Sequence, residues 1–341
     1  MKTVRINTKG GVRLIDIDEP QICSPNDVKV KIAYASICGY DMMVLRGKAS
    51  LAGHGEVGHE ASGIIFDLGT EAKKFFKLGD RVTINPILTC NHCSSCLTGQ
   101  GMYCENAEMS AACMMSEYIV THYLQIYQLH DETSLKEGCL TEPLTMALYT
   151  VRKAQLNPGK KLLILGGGAM GQIILRLSLI YPIDSVVVVD PNEEKLTLAL
   201  KAGASAVIDS KHGNVLVEAL KLTNGKGFDA VIEASGSQQS AELAFSLLAR
   251  GGSLVFFGLY GMEYNLPVNL FNLYWKDASI HGVSVPNNLF FQALDLLPKL
   301  NLGTVITGVY PFTQAAEAFS DKAAGCHAKV MLDFTGSSKE G

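Results

Sequence analysis

Between Cys90 and Cys104 the chain reads C-N-H-C-S-S-C and then, after a short polar stretch, Tyr103-Cys104, so four thiols share one loop with two overlapping C-x-x-C steps. Thiolates on turns this tight can all face one centre at about 2.3 Å and close a tetrahedral shell around zinc, leaving no position for water or substrate. Cys90, Cys93, Cys96 and Cys104 are therefore expected to hold a structural zinc. A second set of ligand types, Cys38, His59 and a pair of glutamates, lies elsewhere in the chain without that closure. The chemistry is to be sought there. Two disulfides are the alternative for the four-cysteine loop, but an odd total of nine cysteines, five of them scattered, fits a reducing compartment better.

A second constellation points to redox chemistry. Leu162-Leu-Ile-Leu-Gly166-Gly-Gly168-Ala-Met170-Gly171 is a G-x-G-x-x-G motif placed between a strand-like run and a helical one, and a further apolar run, Ser185-Val-Val-Val-Val, ends in Asp190. That is the context in which the motif binds a dinucleotide, with the acidic residue about 20 positions on. Gly166 permits the tight turn, Gly168 the approach of a pyrophosphate and Gly171 the packing of helix on sheet, while the helix N-terminus receives the negative charge. Asp190 is placed to accept the ribose hydroxyls of NAD and to repel a 2′-phosphate, and no arginine follows it in Pro191-Asn-Glu-Glu-Lys195. NAD is the expected cofactor. Met170, Lys195, Phe257, Gly258, Leu259, Val283 and Ser284 complete the expected set of contacts.

The elements that must position these residues follow from patterning. Residues 1–152 are rich in short β-branched runs, such as Val28-Lys-Val-Lys-Ile-Ala and Ser62-Gly-Ile-Ile-Phe, broken by Gly, Pro, Asn and Asp, which predicts an irregular all-β region. From Lys161 strand segments (162–165, 185–189, 207–208, 230–233, 253–257, 279–283) alternate with helical ones (170–179, 193–202, 215–222, 239–248). Such alternation predicts a doubly wound, six-stranded parallel sheet, hence an α/β class. The tail holds a helix at 289–298, a strand at 303–310, a helix at 313–323 and a strand at 329–334, too little for a domain of its own. It is expected to return to the first region. The predicted domains are thus 1–152 with 287–341, and 153–286, with a cleft between them.

At 341 residues, 48% apolar and 18% charged, the chain has ample material for buried sheets. A net charge of -4 with no basic stripe excludes a nucleic-acid footprint and makes acidic membranes poor partners. The most apolar stretch, 162–181, contains three consecutive glycines, Gln172 and Arg176, so it does not read as a membrane span. Met1 to Gly11 is charged and polar, without a signal or transit peptide pattern. A cytoplasmic location is expected.

Taken together, these motifs resemble the zinc-dependent medium-chain alcohol and polyol dehydrogenases, with the sorbitol and threonine dehydrogenase branch nearest. The resemblance rests on Cys38-Gly-Tyr-Asp41, Gly58-His-Glu60-Ala-Ser-Gly63 with Gly69 and Gly79-Asp-Arg-Val82, the four-cysteine lobe at 90–104, Glu142-Pro-Leu144 and the glycine fingerprint. It implies a GroES-like irregular β catalytic domain beside a Rossmann domain. It also implies a catalytic zinc held by Cys38, His59 and Glu60, with Glu142 as the further glutamate that binds the metal directly or holds its water. Two zinc ions per chain and a homodimer or homotetramer follow from the same resemblance. The residue types make independent sense, because a Cys, a His and a carboxylate leave a fourth zinc position open for an alcohol oxygen, which the ion acidifies. Asp41 is expected either to accept the free ring N–H of His59 or to cap a helix.

The expected reaction moves a hydride between a secondary alcohol, a polyol or sugar-like compound, and NAD, giving a ketone. Within the same class the alternative substrate is a threonine-type amino acid or an amino-cyclitol. From another class, the fold could serve as a non-catalytic NAD(H)-sensing protein, because two positions depart from the family pattern: Tyr40 replaces a small hydroxyl residue and Met43 stands where a histidine is usual. Tyr40 is expected to contact substrate or bound water, or else to pack. His54 is either a solvated loop histidine or a candidate for the missing imidazole, and Met42, Met43, Met114 and Met115 are expected to form either an adaptable apolar wall or core filling.

Overall fold

The computed structural model describes residues 1–7, 11–49, 55–109, 113–285 and 289–336. The chain begins with β1 (Lys2–Ile6), β2 (Val12–Asp16), β3 (Asp27–Ser36), α1 (Gly39–Leu45), β4 (Ala61–Leu68), β5 (Arg81–Ile84), α2 (Ser94–Leu97), β6 (Tyr118–His122), β7 (Ile126–Gln128), α3 (Leu135–Gly138) and α4 (Thr141–Lys153). An alternating stretch follows: β8 (Lys161–Leu165), α5 (Ala169–Ser178), β9 (Ser185–Asp190), α6 (Glu193–Lys201), β10 (Ala206–Asp209), α7 (Val215–Leu222), β11 (Phe228–Glu233), α8 (Gln238–Ala244), β12 (Leu248–Phe256), α9 (Leu270–Lys276) and β13 (Ser279–Gly282). Last come α10 (Phe290–Leu296), β14 (Ile306–Pro311), α11 (Ala315–Ala324) and β15 (Lys329–Asp333). The chain divides into two compact units, Met1–Thr145 with Pro286–Gly341, and Met146–Val285.

The first unit is built on a seven-stranded sheet in the order β14-β15-β3-β4-β5-β7, with β6 also pairing with β3. β3 owes its central place to its apolar alternation, which buries Val28, Val30, Ile32 and Ala35 at 1% exposure or less. In the tail, β15 runs antiparallel to β3, with Met331 opposite Ser36. Its elements are shorter than the sequence predicts, because Pro298 falls in a 3₁₀ turn (Leu297–Lys299) and residues 302–305 form another before β14.

The second unit is a six-stranded sheet, all parallel, in the order β10-β9-β8-β11-β12-β13. Counted from β8 this is 3-2-1-4-5-6, the doubly wound order whose switch point lies between the first and fourth strands. Leu162 to Ile164, Val186 to Val188 and Ala230 to Ile232 are at most 3% exposed. Continuous apolar runs of this kind are required where helices cover both faces of a sheet. One predicted boundary fails: the helix expected over 239–248 ends at Ala244, and β12 begins at Leu248 rather than 253. Leu248 pairs with Phe228, and the register shifts before Ala230 meets Ser253, so the apolar end of the presumed helix is the start of a bulged strand. No helix among the described residues is long and apolar enough to cross a membrane.

Candidate active site

The metal-ligand candidates come together through strand pairing. β3 and β4 run antiparallel with Ala35 opposite Ala61, so residues that follow β3 meet residues that precede β4. Cys38 follows β3, and His59 and Glu60 precede β4; the Ser36 N–H donates to the Glu60 carbonyl at 3.0 Å and ties the two ends. The ligand atoms of Cys38, His59 and Glu60 lie within 4.8 Å of one another. One ion with bonds of about 2.0–2.3 Å reaches all three. Glu142, in the first turn of α4, is buried beside them and acts on His59 through its charge.

The electrostatics of the cluster call for a cation. Burial opposes a charged His59, yet the Cys38 thiolate, Asp41 and Glu142 outweigh it and raise the imidazole well above its ordinary value. Burial pushes the Glu142 carboxyl up to about 7, with Glu60 adding to the rise and His59 opposing it. Burial also raises Asp41. A pocket in which Asp41 and Glu142 are reluctant to ionise while the imidazole clings to a proton favours further positive charge, which a divalent ion supplies.

Asp41 does not make the expected bond to His59. Its Oδ1 lies 3.8 Å from His59 Nδ1, beyond hydrogen-bond range, while its Oδ2 accepts the Cys38 N–H at 2.8 Å. The cap of α1 is the contact made, and it braces the backbone of the Cys38 ligand. Tyr40, on α1, is 40% exposed and sets its ring edge toward His59, with centroids 6.3 Å apart at 77°. Met42, Met114 and Met115 belong to the buried core, which decides them as core filling, and Met43 is half-buried. His54 lies outside the described residues.

Sequence reasoning missed the groups behind Glu60. The Glu60 Oε2 accepts from the Ser36 hydroxyl and from Lys329 Nζ on β15, and the Cys139 thiol donates to the Glu60 carbonyl at 3.3 Å. Burial pushes the Glu60 carboxyl up, but Lys329 leads the opposing groups and the net effect is a lowered value. Lys329 keeps its proton tightly despite burial because Glu60 and Cys38 surround it with negative charge. The available signal was a lone lysine at the head of the apolar run Lys329-Val-Met-Leu.

The four-cysteine lobe closes as its spacing predicts: the thiols of Cys90, Cys93, Cys96 and Cys104 lie within 4.8 Å of one another. The Cys93 N–H donates to Cys90 Sγ and the Cys90 N–H to Cys104 Sγ, both at 3.4 Å. Backbone N–H groups, that of His92 first, draw the Cys90 thiol down to about 5, whereas burial pushes Cys96 up to about 12. All four could ionise together only around a cation, and all nine cysteines are unpaired.

The glycine fingerprint lies on the second unit. α5 starts behind Gly168, and a Cβ on Gly171 would lie 1.9 Å from the Gly166 carbonyl, so only glycine lets this helix pack there. The Asp190 carboxylate is 7% exposed and accepts the Gly167 N–H at 2.8 Å and the Asn192 N–H at 2.9 Å, which aims it across the fingerprint loop. Lys195 lies in the first turn of α6, its carbonyl bonded to Gln172 of α5 at 2.9 Å. Phe257, Gly258 and Leu259 follow β12, and Val283 and Ser284 follow β13, all at the carboxyl edge of the sheet where this topology binds ligands.

Comparison with known proteins agrees with both halves. The family described as the alcohol dehydrogenase GroES-like domain matches residues 24–131, and the zinc-binding dehydrogenase family matches residues 169–299. A presumed zinc-binding dehydrogenase from Clostridium scindens is 30% identical, with 97% of this chain and 98% of that one covered and a TM-score of 0.90. The chain belongs to the zinc-dependent medium-chain alcohol and polyol dehydrogenases. Galactitol-1-phosphate dehydrogenase from Escherichia coli, 26% identical over 98% of this chain and 100% of its own, has a TM-score of 0.87. D-xylulose reductase A from Aspergillus niger is 27% identical, covering 94% of this chain and 93% of that protein. Among these dehydrogenases zinc is the resident metal, and the donor sets of both clusters suit it.

Proposed function

We propose that the protein is an NAD-dependent zinc dehydrogenase that interconverts a secondary alcohol, a polyol or sugar-like compound, and its ketone. The observation that carries this reading is the convergence of Cys38, His59 and Glu60 in an acidic, half-open cluster distinct from the closed four-cysteine lobe. Cys38, His59 and Glu60 would hold zinc, which when bound acidifies an alcohol and polarises a ketone. Glu142, buried beside them, would bind the metal directly or hold its water. Asp190 would accept both ribose hydroxyls of the adenosine half and exclude a 2′-phosphate. Tyr40 lies beside His59 in a position to touch substrate; Tyr40→Phe should lower turnover and alter its pH profile, and unchanged values would leave it a packing residue. The polyhydroxylated compounds in the names of the Aspergillus niger and Escherichia coli relatives, the ketose D-xylulose and galactitol 1-phosphate, support the substrate class.

The test is a panel of polyols, threonine and simple secondary alcohols with NAD and NADP, combined with metal analysis. Polyol-dependent NAD reduction and two zinc ions per chain are expected. One zinc with no reduction of either nucleotide would make this a non-catalytic NAD(H)-binding protein. The unpaired cysteines suit the cytoplasm. The open edge at β13, with Leu270, Phe271, Tyr274 and Trp275 each at least 58% exposed nearby, fits a homodimer made through this unit. Light scattering that returned a monomer would remove that assignment.

A further inference from the structure

Glu233 ends β11 with its side chain fully buried, at the carboxyl edge of the sheet. A buried carboxylate is tolerated only where its lone pairs are filled. Here Oε1 accepts the Ser235 N–H at 2.9 Å together with the Ser235 hydroxyl, and Oε2 accepts the Gly236 N–H at 3.2 Å together with the Tyr260 hydroxyl. The backbone carbonyl of the same residue accepts the N–H groups of Phe257 and Gly258 at 2.8 and 2.9 Å. One glutamate therefore joins the loop after β11 to the loop after β12. The Tyr260 ring is steered to it from both sides, edge-on to Phe256 and stacked on Tyr264 with centroids 5.5 Å apart.

The loops also touch through their backbones. A Cβ on Gly258 would lie 2.3 Å from Glu233 Oε2 and 2.4 Å from the Gly236 nitrogen, and one on Gly166 would lie 2.9 Å from the Ser235 nitrogen. The fingerprint loop, the β11 loop and the β12 loop thus converge around one carboxylate. In the 3-2-1-4-5-6 order a dinucleotide straddles the switch point, with one nucleotide over β8 to β10 and the other over β11 to β13. Asp190 marks the adenosine side, which leaves the nicotinamide side over the loops that Glu233 holds.

We propose that Glu233 and Tyr260 are coenzyme-positioning residues that clamp the β11 and β12 loops beneath the nicotinamide half of the dinucleotide. The inference rests on the dinucleotide reading of the fingerprint and Asp190. With the clamp in place the β12 loop is ordered before the coenzyme arrives; without the Tyr260 bond the coenzyme must order it on binding, and affinity falls. That loss belongs to the nicotinamide half only. ADP-ribose, which lacks the nicotinamide, should not register it.

The experiment titrates the zinc-loaded full chain, native and Tyr260→Phe, with NADH by nicotinamide fluorescence and with ADP-ribose by calorimetry. Tyr260→Phe should weaken NADH about tenfold, the scale of one hydrogen bond to a charged group, reduce the fluorescence enhancement of bound NADH, and leave ADP-ribose within about twofold. Glu233→Gln, which replaces two acceptor sites by donors, should weaken NADH further. Unchanged NADH affinity and emission in Tyr260→Phe overturn the clamp, as does an equal loss for NADH and ADP-ribose, which marks general damage. If the native chain binds neither ligand, the dinucleotide reading itself fails and the clamp with it.

Discussion

Replacing Lys329 by methionine removes the cation behind the metal cluster while keeping most of the side chain's length and volume. The Lys329 side chain is 3% exposed and that of Glu60 2%, so in the variant the carboxylate keeps the Ser36 hydroxyl but loses its counter-charge in a site that water does not reach. Deleting one partner of a buried, hydrogen-bonded pair costs about 3–5 kcal/mol. The pH dependence sharpens the argument. In the native chain Glu60 titrates below its ordinary value, so its contribution to stability is present above the unfolded carboxyl's pKa and is lost as pH falls through the lower folded value. In Lys329→Met the carboxyl should rise above the unfolded value instead, and protonation should relieve the defect by about 1.4 kcal/mol for each pH unit from the new pKa down to the unfolded one. Urea unfolding of native and variant protein at pH 7 and pH 5, with and without a zinc chelator, reads both effects. Lys329→Arg should retain most of the native stability, and Glu60→Gln combined with Lys329→Met should recover part of what the single change loses. A loss below about 1 kcal/mol at pH 7, or a loss that does not shrink at pH 5, would refute the claim that this pair holds the ligand loop.

Three further outcomes are expected. Cys93→Ser should lower the zinc content from two ions per chain to one and reduce thermal stability, measured by elemental analysis and calorimetry; retention of both ions would remove the structural assignment of the lobe. Asp190→Ala should lower kcat/KM for NAD about 10- to 100-fold, the loss of one to two hydrogen bonds to a charged group, while NADP changes far less, so the ratio of the two specificities is the readout. In chelator-treated protein Glu142, raised by burial to about 7, favours folding while protonated, so stability should fall as pH climbs from about 4.5 to about 7 by up to ~3 kcal/mol. Glu142→Gln should flatten that slope in urea titrations across this range.

Residues close in sequence were legible without the structure, and residues joined by the fold were not. Cys90 to Cys104 and Gly166 to Gly171 carry their geometry locally, because a tight turn by itself aims thiols or backbone N–H groups at a common point. The alternation of apolar runs likewise determined the parallel sheet, since strands covered on both faces have no polar face to display. Where a pattern had two meanings the sequence could not choose: the run ending at Leu248 suits a buried helix or a bulged strand, and pairing with Phe228 selected the strand. Asp41 could serve His59 or the helix start, and a distance of 3.8 Å against 2.8 Å decided for the latter. Cys38 and His59 were recognisable as ligand types, but only the antiparallel register of β3 and β4 made them neighbours. Lys329 and the Glu233–Tyr260 bond left almost no trace in the sequence. A charge pair or a clamp between distant segments is specified by which strands lie side by side, and that outcome depends on burial summed over a whole sheet rather than on any local run of residues.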